Sequence, residues 1–390
     1  MNNPKEFSAK EPSLGYYYQI IYGLKVMLDI KDENYCLRLE NLDDIELLVD
    51  GNTVLYQTKY HTNDSNITDA SPDFWKTIRV WSVAIQSGQI DLNTTIFNLI
   101  TTSTVASNSI LSNLLYNAQS RNIDDILNKL LSVIQTTSNK VNETAFETFK
   151  ALNKDQQKKL IEKINIIDNS CTVDNALEEI KKNLSVAAKY KNINDFSERL
   201  QGWWWKRCIE ILQNQRDSIS YAEVHLQIDN IRDEYSLDNL PDDFLGITIS
   251  EEDITGHQNK TFVKQLDLIA QQSGVVKKAI QDFVKAYRQR SEWIRKDLLN
   301  ANELETFDNK IFDYWENIFV AMKDDCQGHD AEQLKRIGAN FYRQYFVNNT
   351  APIKIRERFT SGYLTRGSCH ILADDKKIGW HPNFDELLDL

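Results

Sequence analysis

The chain has 390 residues, of which 41% are hydrophobic and 10% aromatic, and its formal net charge at pH 7 is −12. This length allows a sizeable core and two domains, and the scarcity of glycine (13) and proline (6) favours long helices over a loop-rich β fold. The negative charge argues against a surface that binds DNA nonspecifically over its whole extent, because such binding depends on lysine and arginine replacing counterions on phosphates.

Cysteine spacing and the hydropathy of the chain indicate where the protein works. The five cysteines lie far apart, without the Cys-x-x-Cys spacing of a zinc site or a disulfide framework. The amino terminus lacks the basic and apolar regions of a signal peptide, and no apolar run reaches membrane-spanning length. We therefore expect a soluble, cytoplasmic protein that does not associate with a membrane.

The first predicted elements are a helix and a β-hairpin. Apolar residues recur at helical spacing over residues 15–30, and this helix carries Gln19 toward the sheet. Residues 37–61 then hold two runs of leucine, β-branched and aromatic residues joined by an Asp50-Gly51-Asn52 turn, which is a strong hairpin signal. On the second strand, alternation of side chains places Leu55, Gln57, Lys59 and His61 on one face.

Polar groups converge at one end of this predicted hairpin. Glu40 and Asp44 lie at the start of its first strand, which folds back beside Gln57 and Lys59. Carboxylates are the protein ligands of Mg²⁺, with Mn²⁺ as the other candidate, and a bound ion lowers the pKa of a coordinated water. Lys59 would orient that water or stabilise the developing oxyanion.

Asp43 competes with Asp44 for the role of metal ligand. Adjacent residues of a strand face opposite ways, so only one of the two can face the ion. We choose Asp44 because it directly precedes the apolar run 45–49. The competing interpretation is that these are polar residues at the end of a hairpin, with a lysine that extends into solvent.

An aspartate before one strand followed by Gln57-x-Lys59 in the next resembles the PD-(D/E)XK nuclease motif, in its variant with glutamine at the middle acid. The fuller pattern of Gly15-Tyr-Tyr-Tyr-Gln19, Glu40-x-x-Asp43-Asp44 and Gln57-x-Lys59 is similar to effector nucleases of prokaryotic antiphage systems. These include the nuclease partners of CD-NTase enzymes and the nuclease subunit of Lamassu and related ABC three-component systems. The resemblance implies catalytic roles for Glu40, Asp44, Gln57 and Lys59 and a supporting role for Gln19, whose other interpretation is a packing or capping amide.

The rest of the nuclease core is predicted from the next elements. Residues 74–87 read as an amphipathic helix, and residues 94–105 have strand composition. Helical periodicity then continues over residues 109–168, where we place the domain border. We thus predict an α/β restriction-endonuclease-like N-terminal domain over residues 1–168 and a mostly α-helical C-terminal region over residues 169–390 that ends in a small β-hairpin.

Three features of the second region invite interpretation. Consecutive tryptophans at Trp203-Trp204-Trp205 cannot all face one core on a helix, so packing within the domain competes with contact to another domain or subunit. His370 and His381 could form a metal or catalytic pair, but packing is the favoured interpretation. Residues 362–382 predict the terminal hairpin and resemble the C-terminal adaptor regions of ABC three-component effectors.

The resemblance implies a metal-dependent endonuclease that cuts double-stranded DNA. It also implies an SMC-like ABC ATPase and a small accessory subunit that restrain the nuclease, with release and homo-oligomerisation as the activating step. The alternatives are a catalytically inactive nuclease fold that serves as an adaptor, and an RNase.

Overall fold

The computed structural model describes residues 10–63, 65–137, 140–188, 190–345 and 353–388. The chain divides into two units, Met1–Ile231 and Arg232–Leu390. Each unit has its own hydrophobic core, and the border falls within the helix Tyr221–Glu234.

The first unit contains a mixed sheet with helices on both faces. Its strands are β1 Cys36–Leu39, β2 Ile45–Val49, β3 Asn52–Lys59, β4 Asn66–Ile67, β5 Thr95–Thr101, β6 Thr104–Val105, β7 Ile164–Ile167 and β8 Ile219–Ser220. Its helices are α1 Lys10–Asp29, α2 Pro72–Gln86, α3 Ile123–Thr136, α4 Glu143–Ala151, α5 Lys154–Lys163, α6 Val173–Leu184, α7 Ile193–Leu212 and α8 Tyr221–Glu234, with short 3₁₀ helices at Ile110–Leu114, Lys140–Asn142 and Tyr190–Asn192.

Six strands form the main sheet in the order β7-β5-β3-β2-β1-β8. The half built from β3, β5 and β7 is parallel, whereas β2, β1 and β8 join it antiparallel. One face packs on α1 and α7, with α6 against both helices, and the other face packs on α2 and the helices that follow it. Strands β4 and β6 pair with each other in a separate two-stranded sheet.

The predicted hairpin is confirmed as β2 and β3. Val49 pairs with Asn52 across the turn, and the two central residues, Asp50 (φ 43°) and Gly51 (φ 79°), both take left-handed backbone conformations. This is the conformation that a two-residue hairpin turn needs to match the twist of its strands, and Asp-Gly adopts it readily. The helices predicted over 15–30 and 74–87 and the strand predicted over 94–105 are confirmed as α1, α2 and β5 with β6.

The first run of the hairpin is broken, contrary to the prediction of one strand. Strand β1 ends at Leu39, Glu40 takes a left-handed backbone (φ 51°), and β2 begins only at Ile45. The backbone N–H of Glu40 donates to the Asp44 carbonyl at 3.2 Å, which closes the intervening turn. Glu40 and Asp44 therefore belong to one tight connection between two antiparallel strands.

The structure also moves the border of the first unit from residue 168 to residue 231. Residues 164–167 form the parallel strand β7 and not the end of a helical stripe, because four buried or half-buried residues extend the sheet beside β5. Beyond it, α6 and α7 pack on α1, and β8 pairs with the outer edge of β1. These elements complete the sheet, so they belong to the first unit.

The second unit is helical. After α8 it contains α9 Glu251–Gly256, α10 Thr261–Leu268, α11 Ser273–Arg295, α12 Ala301–Asp324, α13 Ala331–Gln344, α14 Gly362–Asp374 and α15 Phe384–Leu388. The predicted terminal hairpin is wrong, because residues 362–374 form α14 along α11. Burial of Leu364, Ser368 and Leu372 at helical spacing outweighs the strand propensity of the segment. None of the described helices combines the length and apolar character needed to cross a bilayer.

Gly367 allows α11 and α14 to approach closely. A Cβ atom at this position would lie 2.1 Å from the carbonyl oxygen of Asp282 and 2.5 Å from the Cβ of Ala286, so the helices would have to move apart. We predict that Gly367→Ala lowers the melting temperature of the second unit by about 2 to 12 °C, from an overpacking cost of about 1 to 3 kcal/mol. Calorimetry of the full chain measures this shift.

The matched control for this substitution is Gly274→Ala in α11, where an added Cβ meets no atom within 4 Å. Alanine there should leave stability unchanged or raise it by up to about 1 kcal/mol, through the entropy of the unfolded chain. Equal melting temperatures for the two variants would contradict the close approach of α11 and α14.

Candidate functional site

The register of β2 and β3 brings the predicted site residues to one end of the sheet. Ile45 pairs with Tyr56, so Asp44, just before β2, lies next to Gln57 and Thr58. On β3 the buried residues Leu55 and Gln57 alternate with less buried neighbours, and Lys59 is in phase with them at the end of the strand. This is the end at which the parallel strands β3 and β5 finish, where α/β sheets carry their sites.

Asp44 is fixed by two hydrogen bonds from Thr58. The backbone N–H and the Oγ1 hydroxyl of Thr58 each donate to Asp44 Oδ2 at 2.7 Å. The Asp44 side chain is half-buried, and its carboxylate is held without a direct cationic partner among the described residues. A carboxylate held by fixed donors loses little freedom on binding an ion or a water.

Glu40 and Gln19 complete the turn. The Gln19 side-chain amide donates to Glu40 Oε1 at 3.0 Å and to the Asp44 carbonyl at 2.7 Å. Gln19 is 5% exposed, whereas Glu40 is exposed. Helix α1 is thus attached to both candidate ligands through one amide, as the supporting role predicted for Gln19 requires.

Asp43 faces the interior. Its Oδ2 accepts a hydrogen bond of 2.5 Å from the Trp81 indole N–H, and its Oδ1 accepts one of 3.0 Å from the Asp44 backbone N–H. Burial raises the pKa of Asp43 to about 7, with a further contribution from the Asp44 charge, while the Trp81 hydrogen bond and the Lys59 ammonium oppose the shift. Asp43 is closed off from solvent, whereas the Asp44 carboxylate is half-buried on the Thr58 side of β3. Accessibility therefore favours Asp44 as a ligand, while proximity to the Lys59 charge favours Asp43.

The donor set fits a hard divalent cation and not zinc. Among the described residues, no group of three or more histidine, cysteine, aspartate or glutamate side chains could hold an ion. Zinc needs three or four such ligands, whereas Mg²⁺ accepts one or two carboxylates with waters and substrate phosphates. Glu40 and Asp44 provide two carboxylates on a single turn, and both reach solvent.

Two residues near the candidate site, Thr58 and Glu46, were not predicted from the sequence to belong to it. Thr58 lies on the opposite face of β3 from Gln57 and Lys59, so alternation gave no reason to connect it with Asp44. Glu46, on β2, is only 2% exposed; it accepts a hydrogen bond from Asn41 and lies 4.0 Å from the Arg38 guanidinium. The strand register places Glu46 on the same face as Leu55. Its contacts to Asn41 and Arg38 were not expected, because the sequence did not indicate the break after β1.

The tryptophan triplet packs within the first unit. Trp204 is fully buried on α7, and its indole N–H donates to the Ile20 carbonyl of α1 at 2.8 Å. Trp205 is 41% exposed and lies 6.1 Å from the Tyr17 ring, centroid to centroid. Trp204 and Trp205 therefore attach α7 to α1, the helix that carries Gln19.

The two C-terminal histidines are packed in the second unit. His370 is 1% exposed among Phe262, Tyr342 and Trp380, and burial lowers its pKa to about 3. The pKa of His381 is also lowered by burial. The neutral, enclosed imidazole of His370 agrees with the packing interpretation.

A family model matches the second unit. Residues 262–388 match C-terminal domain 7 of the ABC-three component (ABC-3C) systems, and this segment covers most of α10 to α15. No curated protein sequence matches the chain.

Solved structures give distant matches. The Cap4 SAVED/CARF-domain containing receptor of Acinetobacter baumannii with the cyclic trinucleotide 3′3′3′-cAAA is 14% identical with a TM-score of 0.34, over 70% of this chain and 59% of that chain. The Cap4 receptor of Moraxella osloensis is 12% identical with a TM-score of 0.33, over 71% of this chain and 68% of that one. This chain thus spans less than two thirds of the Acinetobacter receptor, and at these scores the likeness assigns neither a fold nor a ligand.

The buried imidazole predicts how the second unit responds to acid. The pKa of His370 is about 3 in the folded chain, against an ordinary value of 6.5, so the unfolded chain binds more protons between these values. Stability is therefore full above pH 6.5 and falls as the pH drops toward 3. Between pH 7.5 and pH 5 this residue should cost about 2 kcal/mol of unfolding free energy.

We predict that His370→Phe, which keeps an aromatic ring, removes that part of the pH dependence. Denaturant unfolding at pH 7.5 and pH 5 measures the difference between variant and wild type. An identical loss of stability in both proteins would show that another group is responsible.

Proposed function

Because residues 262–388 match C-terminal domain 7 of the ABC-three component systems, we propose that this chain is the metal-dependent DNA endonuclease of such a system, acting in antiviral defence. The single observation that supports nuclease chemistry is the β2–β3 register, which brings the turn that carries Asp43 and Asp44 to the end of β3 that carries Gln57 and Lys59. The resemblance to the PD-(D/E)XK motif requires this neighbourhood.

The surrounding architecture supports the same proposal. A helix carrying Gln19 precedes an antiparallel run of β1, β2 and β3, after which α2 leads to the parallel strand β5. This order places one helix on each face of the sheet and the candidate site at the carboxyl end of β3. The net charge of −12 is compatible with DNA cleavage if contacts to phosphate are local or come from the assembly.

Each residue of the site has a separate role in the proposed reaction. Glu40 and Asp44 would hold Mg²⁺ or Mn²⁺, which supplies an acidified water and neutralises charge on the phosphodiester. Gln57 shapes the water site from the neighbouring strand. Lys59 orients the attacking water, and its ammonium offsets the negative charge that grows on the phosphoryl oxygens. Gln19 keeps the turn that carries both carboxylates in place.

We assign the regulation of the proposed nuclease to the second unit and its partners. Membership of an ABC-3C system implies an ABC ATPase, and we propose an SMC-like ATPase with a small accessory subunit that restrains the nuclease through the helical region. Release would permit homo-oligomerisation and cleavage. Such a restraint is needed because an unrestrained nuclease of low sequence specificity would destroy host DNA.

Metal binding gives the first prediction for this site. Mg²⁺ at ten times its dissociation constant should stabilise the wild-type chain by about 1.4 kcal/mol and raise its melting temperature by about 3 to 6 °C. Asp44→Asn should abolish the shift, because it removes the charge of the best-positioned ligand, and EDTA should reverse it in the wild type. Thermal unfolding with and without the ion is the measurement; an equal shift in Asp44→Asn would exclude Asp44 as a ligand.

Cleavage gives the second prediction. With Mg²⁺, the purified wild type at high concentration should cut plasmid DNA, whereas Asp44→Asn and Lys59→Met should each lose at least about 100-fold in rate. The matched controls are Asp125→Asn and Lys129→Met, an exposed pair on α3 joined at 2.7 Å, which should keep wild-type activity. DNA and RNA of the same sequence, assayed side by side, separate the two substrates.

If none of the five proteins cuts the plasmid, the same assay is repeated with the ABC ATPase and the accessory subunit added. Absence of cleavage there too would favour the inactive adaptor. Cleavage of RNA alone would favour the RNase.

A further inference from the structure

A histidine–aspartate pair lies beside the proposed site and has no assigned role in it. His61 follows Lys59 by two residues, and its Nε2 lies 2.6 Å from Oδ2 of Asp73, in the first turn of α2. Helix α2 packs on the sheet face to which Leu55 belongs, so the pair is on the face that also carries Gln57 and Lys59.

The backbone keeps His61 in phase with the strand. The His61 N–H donates to Thr102 Oγ1 at 2.8 Å, and this hydroxyl lies 3.1 Å from the His61 carbonyl oxygen. The Thr102 N–H donates to the Lys59 carbonyl at 3.3 Å. These contacts continue the pairing of β3 with the neighbouring strand past Lys59, so alternation places His61 on the Lys59 face.

Both side chains are accessible to a substrate. The His61 side chain is 37% exposed and that of Asp73 is 28% exposed, so the pair is not part of the core. In the part of the chain that the structure describes, Asp73 binds the Nε2 side of the ring, and no hydrogen bond is formed by Nδ1. An imidazole oriented by a carboxylate at one nitrogen and open at the other can transfer a proton.

The proposed reaction lacks a group that serves the leaving oxygen. In an in-line displacement, the attacking water and the leaving oxygen lie on opposite sides of phosphorus, so the residues that act on them must stand apart. Two residues along a strand separate Lys59 and His61 by about 6.6 Å. This spacing suits two groups acting on opposite sides of one phosphodiester.

We propose that His61, oriented by Asp73, is a further catalytic residue that protonates the leaving oxygen; this rests on the nuclease activity proposed above. The bond from phosphorus to the water oxygen forms, and that water gives one proton to solvent, as the bond to the leaving oxygen breaks. The proton on Nδ1 of the imidazolium passes to that oxygen, and solvent then restores the proton to the ring.

A substrate with a sulfur leaving group tests this role. A thiolate leaves without protonation, so DNA with one bridging phosphorothiolate, made in separate 3′-S and 5′-S forms, no longer needs the histidine. The full chain, with its ABC ATPase and accessory subunit where they are required, is assayed in Mn²⁺ on this DNA and on ordinary DNA. The variants are His61→Gln, Asp73→Asn, Lys59→Met, and Thr102→Val as the matched control for a loosened backbone.

We expect His61→Gln to cut ordinary DNA about 100-fold or more slowly and one sulfur-containing substrate within about 3-fold of the wild-type rate. Asp73→Asn should show a smaller loss with the same recovery, while Thr102→Val should affect both substrates equally. An equal loss on all substrates for His61→Gln, or no loss, would overturn the proton-donor role while wild-type cleavage and the Lys59→Met defect leave the nuclease intact. No cleavage by the wild type under any condition would overturn both proposals.

Discussion

The hydrogen bonds that Thr58 donates to Asp44 are the contact on which the candidate site depends. They join the turn before β2 to the end of β3, and they do so only in the observed register. A slip of one residue between the strands would exchange the two faces of β3 and turn Gln57 and Lys59 away from α2. The short turn at Asp50 and Gly51 prevents that slip, since its length fixes which residues pair.

The two adjacent aspartates show how burial assigns different chemistry to identical side chains. Asp43 lies against Trp81, and burial raises the pKa of its carboxyl to about 7, whereas Asp44 meets solvent and accepts hydrogen bonds from the backbone N–H and the hydroxyl of Thr58. Both aspartates lie in the connection that follows the end of β1 at Leu39, after which the chain turns sharply through Glu40. A continuous strand would also have separated the two side chains, but it could not have placed Glu40 and Asp44 on one turn.

Local signals were sufficient to predict the centre of the first unit. The Asp-Gly turn, the helical spacing of α1 and α2 and the strand composition of residues 94–105 all have their causes within a few residues. The parts that were predicted wrongly depend on distant partners: β7 is a strand because β5 lies beside it, and α14 is a helix because Gly367 lets it lie against α11. Likewise, no local signal links Thr58 to Asp44, or places the border after β8.

The pairing of β8 with β1 affects how the protein is made. Strand β8 comes some 180 residues after β1 in sequence, yet it covers the outer edge of the sheet. During synthesis α1 lacks the support of α7 until residues 193–212 leave the ribosome, and the outer edge of β1 stays open until residues 219–220 follow. A nascent chain therefore carries the acidic turn and Lys59 before it has the support that aligns them. Its delayed closure separates the appearance of the acidic turn and Lys59 from their assembly, and the second unit follows directly after.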